Sequence, residues 1–159
     1  MDKNSTYSSD RLIYRGLTRS DAEVVVRWRS NPDNYRFFFS KKPITLEDHL
    51  RWFAGYLDDP SRYDFVIFDK DEMPVGTVGL SHIEGDSCEI NYMIGETSAR
   101  GKGYAKEAVQ AMTDIALQEL GVKTVYARVL ANNPASMAVA EGCGFEDYEH
   151  VYVMEAPAE

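Results

Sequence analysis

The stretch ARGKGYAKEA, residues 99–108, stands where an apolar run typical of a strand gives way to a run with helical spacing. Its glycines, Gly101 and Gly103, let the backbone curl so that several N–H groups face one point with no Cβ in the way. The first amides of a helix lack internal partners and carry the positive end of its dipole, and Arg100 and Lys102 add full charges beside them. The stretch therefore predicts an anion site, and a pyrophosphate is the group that such a site fits best.

The stretch fits neither of the two common nucleotide loops. A Walker A loop is excluded because the pattern GxxxxGK[ST] is absent. A GxGxxG loop is excluded because Lys106 stands where the third glycine or alanine belongs, and because the preceding strands indicate a meander where that fold needs a second βαβ unit. A tight turn with solvated cations is the alternative that the two glycines leave open.

The segments around this stretch indicate a mixed α/β fold. Three β-rich runs between residues 63 and 94 are expected to form an antiparallel meander, and two helices are expected before them, in residues 22–30 and 46–57. After the glycines we expect a long helix closed by Gly121, a short strand, a second helix and a last strand in residues 146–155. The expected architecture is a mostly antiparallel sheet flanked by helices, with one strand-helix-strand crossover at the glycines.

The length and composition favour one globular domain. A chain of 159 residues with 44% apolar and 27% charged residues supports a single core, which we expect in residues 11–159. Residues 1–10 are polar and are expected to form a loose, flexible tail. No apolar run reaches the roughly 18 residues of a membrane span, and the start lacks the pattern of a signal peptide. We therefore expect a cytoplasmic protein without a membrane partner.

The charge of the chain is unevenly distributed. A net charge of −9 argues against binding to nucleic acid, which needs a basic surface. Residues 27–42 nevertheless carry a local charge of +4, which leaves −13 on the rest of the chain. No metal site is expected, because the three histidines and two cysteines lack ligand spacing; they are His49, His82, His150, Cys88 and Cys143.

The glycine stretch resembles the acetyl-coenzyme-A loop of the GNAT N-acetyltransferase superfamily, whose pattern is [QR]-x-x-G-x-[GA]. Arg100, Gly103 and Ala105 match it in register. A second signature follows, since NPASMAVAEGCGF is similar to the family pattern N-x-x-[SA]-x-x-x-x-E-x-x-G-F. The order of strands and helices also agrees with the family over residues 11–145. The resemblance implies the GNAT fold, whose sheet is twisted and splayed at the acetyl-CoA site.

The resemblance also implies acetyl-CoA as cosubstrate. The pyrophosphate would lie on the main chain of the glycine loop, and the pantetheine arm would pair with the end of the strand before it. Asn133 would contact the pantetheine amides, with a plain helix cap as its alternative role. The implied cofactor-binding residues are Tyr92, Met93, Ile94, Gly95, Arg100, Gly101, Lys102, Gly103, Tyr104, Ala105, Asn133 and Ser136.

GNAT chemistry is direct transfer, in which an uncharged amine attacks the thioester. Such an amine arrives protonated near pH 7, so a base must take its proton, and we expect Glu89 to be that catalytic residue. A backbone amide near Met93 or Ile94 would stabilise the oxyanion. Ala140 stands where many relatives have a tyrosine as general acid, which leaves Ser136 as the nearest matching hydroxyl. A solvated strand residue and a helix-start hydrogen bonder are the respective alternatives for Glu89 and Ser136.

The acceptor is expected where the first two helices cover the sheet. Their cations invite an anion, and their aromatic residues could stack on a base or sugar. The elements RWRS and HLRWF, which begin at Arg27 and His49, resemble those of the amino-sugar N-acetyltransferases of the pseudaminic-acid pathway, which implies a nucleotide-linked 4-amino sugar. A helix-loop-helix wall with a solvated charged face is the alternative. The expected substrate-binding residues are Arg27, Trp28, Arg29, Tyr35, Phe38, Lys42 and His49.

Other acceptors and another class of function stay open at this point. The runs EINYMIG and AVAEGCGF equally resemble ribosomal-protein alanine N-acetyltransferases, and a polyamine would suit the acidic remainder of the surface. A GNAT fold that binds acetyl-CoA as a sensor, without catalysis, is the alternative outside enzymes. Only 14 residues follow Phe145, where relatives have a hairpin that walls the acceptor groove. A homodimer whose partner subunit supplies that wall is therefore expected, and an unusually open groove is the alternative.

Overall fold

A six-stranded sheet runs through the molecule, and its strands lie in chain order. The computed structural model describes residues 1–158. Every neighbouring pair of strands is antiparallel except the last, which is parallel because a helical crossover joins its two members. The strands are β1 (Thr6–Ser8), β2 (Ile13–Gly16), β3 (Tyr63–Phe68), β4 (Pro74–Glu84), β5 (Ser87–Ile94) and β6 (Thr124–Tyr126).

Five α-helices flank the sheet, and their ends follow the expected signals. The Thr45 hydroxyl caps α3, and Gly121, at a φ of 67°, ends the π-helical segment that extends α4. None of the helices in residues 1–158 is long and apolar enough to cross a bilayer. The helices are α1 (Ala22–Arg29), α2 (Pro32–Tyr35), α3 (Leu46–Tyr56), α4 (Tyr104–Ile115) and α5 (Pro134–Gly142).

The sheet separates two apolar layers. One face packs against α4 and buries a large cluster that includes Tyr14, Ile90 and Met112. The other face packs against α1 and α3 around Trp28 and Val66. Because side chains alternate along a strand, each strand sends every second residue to one layer and the rest to the other. The expected mixed α/β fold with a mostly antiparallel, helix-flanked sheet is confirmed.

Strands β5 and β6 part soon after they meet. They pair over only three residues each, from Ser87 opposite Thr124 to Glu89 opposite Tyr126. Strand β5 then continues through residues 90–94, which pair with β4 on one side and with no strand of the described chain on the other. The main chain of β5 is therefore available on that side, immediately before the loop that leads to α4.

Two expectations at the chain ends are wrong. Residues 1–10 do not form a loose tail, because Thr6–Ser8 pairs with β2 and the buried amino terminus of Met1 lies 3.3 Å from Glu119. Residues 146–155 do not form a strand, and residues 146–158 contain no regular secondary structure. A strand is stable only against a neighbour, and the alternating pattern of residues 146–155 has none within the described chain.

The close approach of Gly95 to Trp28 gives a stability prediction. A Cβ at Gly95 would lie 2.2 Å from Cγ of the Trp28 ring, and this indole is held by a hydrogen bond to Glu96. We expect Gly95→Ala to lower the stability by about 1–3 kcal/mol through overpacking. Thermal unfolding should show a fall in Tm of roughly 3–10 °C.

The control for this variant is Gly55→Ala in α3, where an added Cβ meets no atom within 4 Å. This variant should leave Tm unchanged or raise it slightly, since alanine is favoured over glycine in a helix by up to about 1 kcal/mol. An equal effect of both substitutions would contradict the proposed contact between Gly95 and the indole.

Candidate active site

The glycine loop leads into α4 without a cap. Gly101 and Gly103 adopt φ angles of 74° and 79°, in the left-handed region that favours glycine. Gly103 is the N-cap residue, and no side chain of the described chain bonds to the free amides of the first turn. These amides stand at the positive end of a 12-residue helix. The loop thus has the donors and the dipole that a pyrophosphate requires.

A clamp formed by Arg11 and Glu107 holds this loop against the start of β2. The Glu107 carboxylate accepts from Ser9 Oγ at 2.7 Å, from the Arg11 main-chain N–H at 2.8 Å and from Arg11 Nε at 2.6 Å. Arg11 Nη1 donates to the Lys102 carbonyl at 2.7 Å. Burial acts to raise the pKa of Glu107, but the hydrogen bonds from Ser9 and Arg11 outweigh it and hold this pKa below its usual value. Sequence reasoning missed both clamp residues.

The sequence suggested that Arg100 is a free charge beside the loop, but in the structure its guanidinium has a partner. Its guanidinium donates to Oδ1 of Asn34, which is 4% exposed. The Asn34 side-chain amide in turn donates to the carbonyls of Trp28, at 2.9 Å, and Gly95, at 3.2 Å. Asn34 therefore connects α1, the end of β5 and the glycine loop through one buried side chain.

Arg27 and Trp28 also belong to this connection instead of an acceptor site. The Trp28 indole is 2% exposed and donates to Glu96 Oε1 at 2.9 Å. Arg27 forms an ion pair with the same carboxylate. The structure thus uses both residues to hold the segment after β5, and neither lines the cavity described below.

Two hydroxyl groups meet between β5 and the start of α5, those of Tyr92 and Ser136. Ser136 Oγ donates to the Tyr92 hydroxyl at 2.9 Å, and that hydroxyl donates to the Ser136 carbonyl, also at 2.9 Å. Burial raises the pKa of Tyr92, although the hydrogen bond with Ser136 opposes this effect. Asn133 Oδ1 accepts from the Ser136 main-chain N–H at 3.1 Å, so Asn133 caps α5. Tyr92 therefore remains protonated at neutral pH, and its hydroxyl lies beside that of Ser136.

Glu89 lies on the opposite face of β5 and is almost completely buried. It is 3% exposed, and its Oε1 lies 3.0 Å from Arg128 Nε, while its Oε2 lies 3.0 Å from His82 Nδ1. Sequence reasoning proposed neither neighbour for the site. Met93 follows on the same face four residues later, about 13 Å along the strand. A proton from an amine near Met93 would therefore reach Glu89 through water.

A cavity of about 300 Å³ lies between α1, α3 and the sheet on this same face. Thr77 of β4 lines it, and Thr77 is the direct neighbour of Met93 in the sheet. The cavity therefore borders β4 at the position next to Met93 of β5. Its lining residues are Leu17, Val25, Arg29, Ile44, Asp48, His49, Trp52, Arg62, Asp64 and Thr77.

The charges in the cavity are mostly compensated, with one exception. Arg62 bonds Asp64 through both Nε and Nη2, at 2.8 and 3.0 Å, and Asp48 lies 3.4 Å from Arg51. Arg29 forms no ion pair within residues 1–158, and its guanidinium lies 5.6 Å from the Phe38 ring. The cavity thus contains one cation without a counter-ion, which favours an anionic guest.

His49 adds a second unused polar group to the cavity. The residue is 5% exposed, and its Nε2 is buried without a hydrogen-bond partner in residues 1–158. Burial, and secondly the charge of Arg29, lower the pKa of His49, so the ring is neutral at pH 7. A buried polar atom without a partner is unfavourable and is typical of a position that a ligand completes.

The structure brings together only some of the expected acceptor residues. Arg29 and His49 line the cavity, and Phe38 lies over Arg29. Tyr35 is half-buried in α2 and Lys42 is exposed, and neither lines the cavity. The basic stretch therefore contributes to the site mainly through its first helix and α3.

Neither a metal nor an activated cysteine is indicated. In residues 1–158 no group of three or more His, Cys, Asp or Glu side chains could hold a metal ion. Burial raises the pKa of both thiols, those of Cys88 and Cys143. Neither cysteine is thus a thiolate nucleophile at neutral pH.

Comparisons with known proteins agree with this geometry. The model of the acetyltransferase (GNAT) domain matches residues 11–146. An uncharacterised protein of Methanocaldococcus jannaschii is 33% identical over 86% of this chain, which spans only 28% of that protein. The acetyltransferase PseH of Campylobacter jejuni is 26% identical, with 84% of this chain and 82% of PseH covered. A Vibrio cholerae spermidine N-acetyltransferase, solved with CoA and spermine, has a TM-score of 0.83 at 23% identity, covering 88% and 83% of the two chains.

The clamp at the glycine loop gives a prediction for pH dependence. Because the pKa of Glu107 is lowered in the folded protein, its carboxylate stabilises the fold at all pH values above the usual 4.5. We expect Glu107→Gln to lower Tm at pH 7, and the difference from wild type to shrink as the pH falls from 4.5 towards 3. Thermal unfolding across this pH range measures the difference.

Glu23→Gln is the matched control, since Glu23 also lies in the first turn of a helix but is exposed and makes no ion pair within residues 1–158. This variant shares any effect of the helix dipole and lacks the clamp. If both variants show the same pH dependence, the hydrogen bonds to Glu107 contribute nothing to stability.

Proposed function

The chain belongs to the GNAT acetyltransferase family and is an acetyl-CoA-dependent N-acetyltransferase, and from this premise we propose that its acceptor is a nucleotide-linked 4-amino sugar. The observation that carries this proposal is the cavity, which contains the uncompensated Arg29 and the unpartnered His49. Both side chains can donate hydrogen bonds to a diphosphate, and Phe38 lies over the same guanidinium. The similarity of the RWRS and HLRWF elements to amino-sugar acetyltransferases supports the same acceptor.

The position of the cavity supports transfer to an amine inside it. Thr77 lines the cavity and pairs with Met93. Because the Gly95 N–H bonds the Val75 carbonyl of β4, alternation turns the Ile94 N–H to the open side, and we propose this amide as the donor to the oxyanion. A sugar that places its diphosphate on Arg29 would project its amine from the cavity towards this strand. Arg29 and Thr77 both line the cavity, which is large enough for part of such an acceptor.

Acetyl-CoA supplies the acetyl group as a thioester when bound. We propose that the free amides of the first turn of α4 hold its pyrophosphate and that the open edge of β5 holds its pantetheine arm. Glu89 takes the proton of the amine through water, which leaves the amine uncharged for attack. The hydroxyls of Tyr92 and Ser136 lie next to this edge and can return a proton to the leaving thiolate.

The carboxylates of the cavity weigh against a polyamine acceptor. A polyamine needs unpaired carboxylates, whereas Asp64 is engaged by Arg62 and Asp48 lies beside Arg51. A protein N-terminus is the other enzymatic alternative, and a sensor that binds acetyl-CoA without turnover is the alternative outside enzymes. The four possibilities differ in which amine, if any, releases CoA.

A panel of acceptors tests the proposal. We expect free CoA to be released from acetyl-CoA with a UDP-linked 4-amino sugar, and not with N-terminal peptides or spermidine. In Arg29→Met the KM for the sugar should rise about 10- to 100-fold, because a hydrogen bond to a charged group contributes about 1.5–3 kcal/mol. Steady-state measurement of thiol release gives kcat and KM for each amine.

Arg19→Met is the control for this substitution, since Arg19 is exposed, lies outside the cavity and makes no ion pair within residues 1–158. It should leave KM unchanged. If a peptide or a polyamine is acetylated and the amino sugar is not, the proposed acceptor is wrong and that amine takes its place. No release with any amine, together with tight acetyl-CoA binding, would favour the sensor.

We further propose that the protein is a homodimer in which residues 146–158 contact the partner subunit. Five large apolar side chains of this segment are at least 76% exposed, an arrangement that is unfavourable in a monomer. The segment also has the alternating pattern of a strand without a neighbour. The exposed side chains are Tyr148, Val151, Tyr152, Val153 and Met154.

Scattering tests the dimer directly. We expect the mass from small-angle scattering to be twice that of the 18.0 kDa chain at micromolar concentration. Replacing Val151 and Val153 by serine should convert it to the monomer mass, because it removes apolar area from the contact. A monomer mass that is independent of concentration in the wild-type protein would exclude the dimer.

A further inference from the structure

We propose that His82 accepts the proton that Glu89 removes from the substrate amine and releases it to solvent. The inference rests on the proposed function, in which Glu89 is the base. His82 acts through Glu89 and touches no reacting atom, so it is a positioning residue with a role in proton transfer. The sequence gives His82 no distinctive motif, and the assignment depends on where the structure places its ring.

The two oxygens of Glu89 have different surroundings. Oε1 accepts from Arg128 Nε at 3.0 Å, a group that keeps its own proton. Oε2 is buried and has no hydrogen-bond partner within residues 1–158, and His82 Nδ1 lies 3.0 Å from it. A proton on Oε2 therefore has one neighbouring side-chain nitrogen with a lone pair to which it can pass.

Glu89 needs such a route because it is shielded from solvent. Its side chain is 4% exposed, while that of His82 is 64% exposed. Phe39 lies over the guanidinium of Arg128, at 5.1 Å, and so contributes to the cover on that side. Each turnover leaves one proton on the base, which must lose it before the next amine arrives. His82 links the buried oxygen to bulk water in one step.

A distortion in the backbone of β4 places the His82 ring beside Glu89. His82 has a φ of 48°, in the left-handed region that non-glycine residues seldom adopt. The pairing register between β4 and β5 shifts between Ser81 and Glu84, so His82 lies in a β-bulge. Bulges redirect side chains, and strained residues persist where the surrounding structure requires them. Here the bulge brings the imidazole to the Glu89 carboxylate.

The neighbours of the pair are consistent with a proton route. Ser81 Oγ lies 3.3 Å from His82 Nδ1 and accepts from the Asn91 side-chain amide at 2.8 Å. Tyr126, opposite Glu89 in the sheet, has a raised pKa because of burial and, secondly, the charge of Glu89. Arg128 and Tyr126 therefore do not titrate near pH 7, and Glu84 stands beyond the bulge. His82 is the imidazole beside the buried carboxylate, with Nδ1 3.0 Å from Oε2, and an imidazole nitrogen with a lone pair can accept a proton.

The proton balance of one cycle is closed. The protonated amine loses one proton through water to Glu89, which becomes a neutral acid. Oε2–H breaks as Nδ1–H forms on a neutral His82 ring, which becomes an imidazolium while Glu89 returns to a carboxylate. Nε2 then releases its proton to water or a buffer base, and the ring regains its starting tautomer by exchange with water. No oxidant, metal or further reactant takes part.

Three substitutions test the route. His82→Gly keeps a residue that favours the left-handed backbone, removes the ring and leaves space for free imidazole. His82→Asn also tolerates this backbone and keeps a polar side chain beside Glu89, but it cannot carry a proton. Glu72→Gly is the matched control, because Glu72 is the other non-glycine residue with a positive φ, at 61°, and lies in the turn between β3 and β4.

Rates are measured with the amine that the acceptor panel identifies, at low and high buffer concentration. We expect kcat of both His82 variants to fall about 10- to 100-fold at low buffer, with KM unchanged. This is at or below the lower limit of about 100-fold for general acid–base catalysis, because His82 acts only through Glu89. Added imidazole should restore His82→Gly, and Glu72→Gly should match the wild type. Full activity of His82→Gly at low buffer, or of His82→Asn, would overturn the route.

The failure of the route and the failure of the proposed base are distinguishable. If Glu89→Gln retains its activity, Glu89 is not the base and the proposed mechanism is wrong. If Glu89→Gln is inactive while His82→Gly is fully active, only the proton route is wrong. The contact between His82 and Glu89 can be tested without knowing the acceptor. The protein has only three histidines, so their ¹⁵N resonances can be assigned, and those of His82 should shift in Glu89→Gln. Unchanged resonances would remove the contact and the route with it.

Discussion

The separation of β5 from β6 after three paired residues is the constraint on which the rest of the structure depends. A sheet that stayed closed would satisfy every main-chain group of β5 internally and leave nothing for a ligand to pair with. Because the strands part, the main chain of residues 90–94 is free on one side, and the crossover helix α4 begins at the same end of the sheet. An open strand edge and free amides at the start of α4 thus arise from one feature.

The alternation of side chains along β5 divides the chemistry between the two faces of the sheet. Tyr92 points to the α5 side and meets Ser136, whereas Glu89 and Met93 point to the side of α1 and α3, where the cavity lies. The strand itself therefore keeps the hydroxyls of Tyr92 and Ser136 apart from the buried carboxylate of Glu89. A slip of one residue in the register would exchange the two sets of side chains.

The sequence predicted the features that depend on local chemistry and missed those that depend on distant neighbours. Gly101, Gly103 and Gly121 were identified because a backbone position with a positive φ favours glycine, so the residue type itself indicates the turn. The clamp between Arg11 and Glu107 joins residues 96 positions apart, and nothing local indicates it. Arg27 and Trp28 matched an acceptor motif, but their partner Glu96 lies 68 residues after Trp28 in the sequence, so nothing local indicates it. Residues 146–155 have the pattern of a strand without a neighbour to pair with, and a pattern does not reveal whether that neighbour exists.

Asn34 restricts how far α2 can move relative to the glycine loop. Its buried amide bonds the carbonyls of Trp28 and Gly95 and receives Arg100 from the glycine loop. A shift of α2 that widened the acceptor side would strain all three bonds at once and would disturb the loop on which the cofactor depends. New acceptor preferences can therefore arise by exchanging the side chains that line the pocket, while the spacing between the helical wall and the cofactor loop stays fixed.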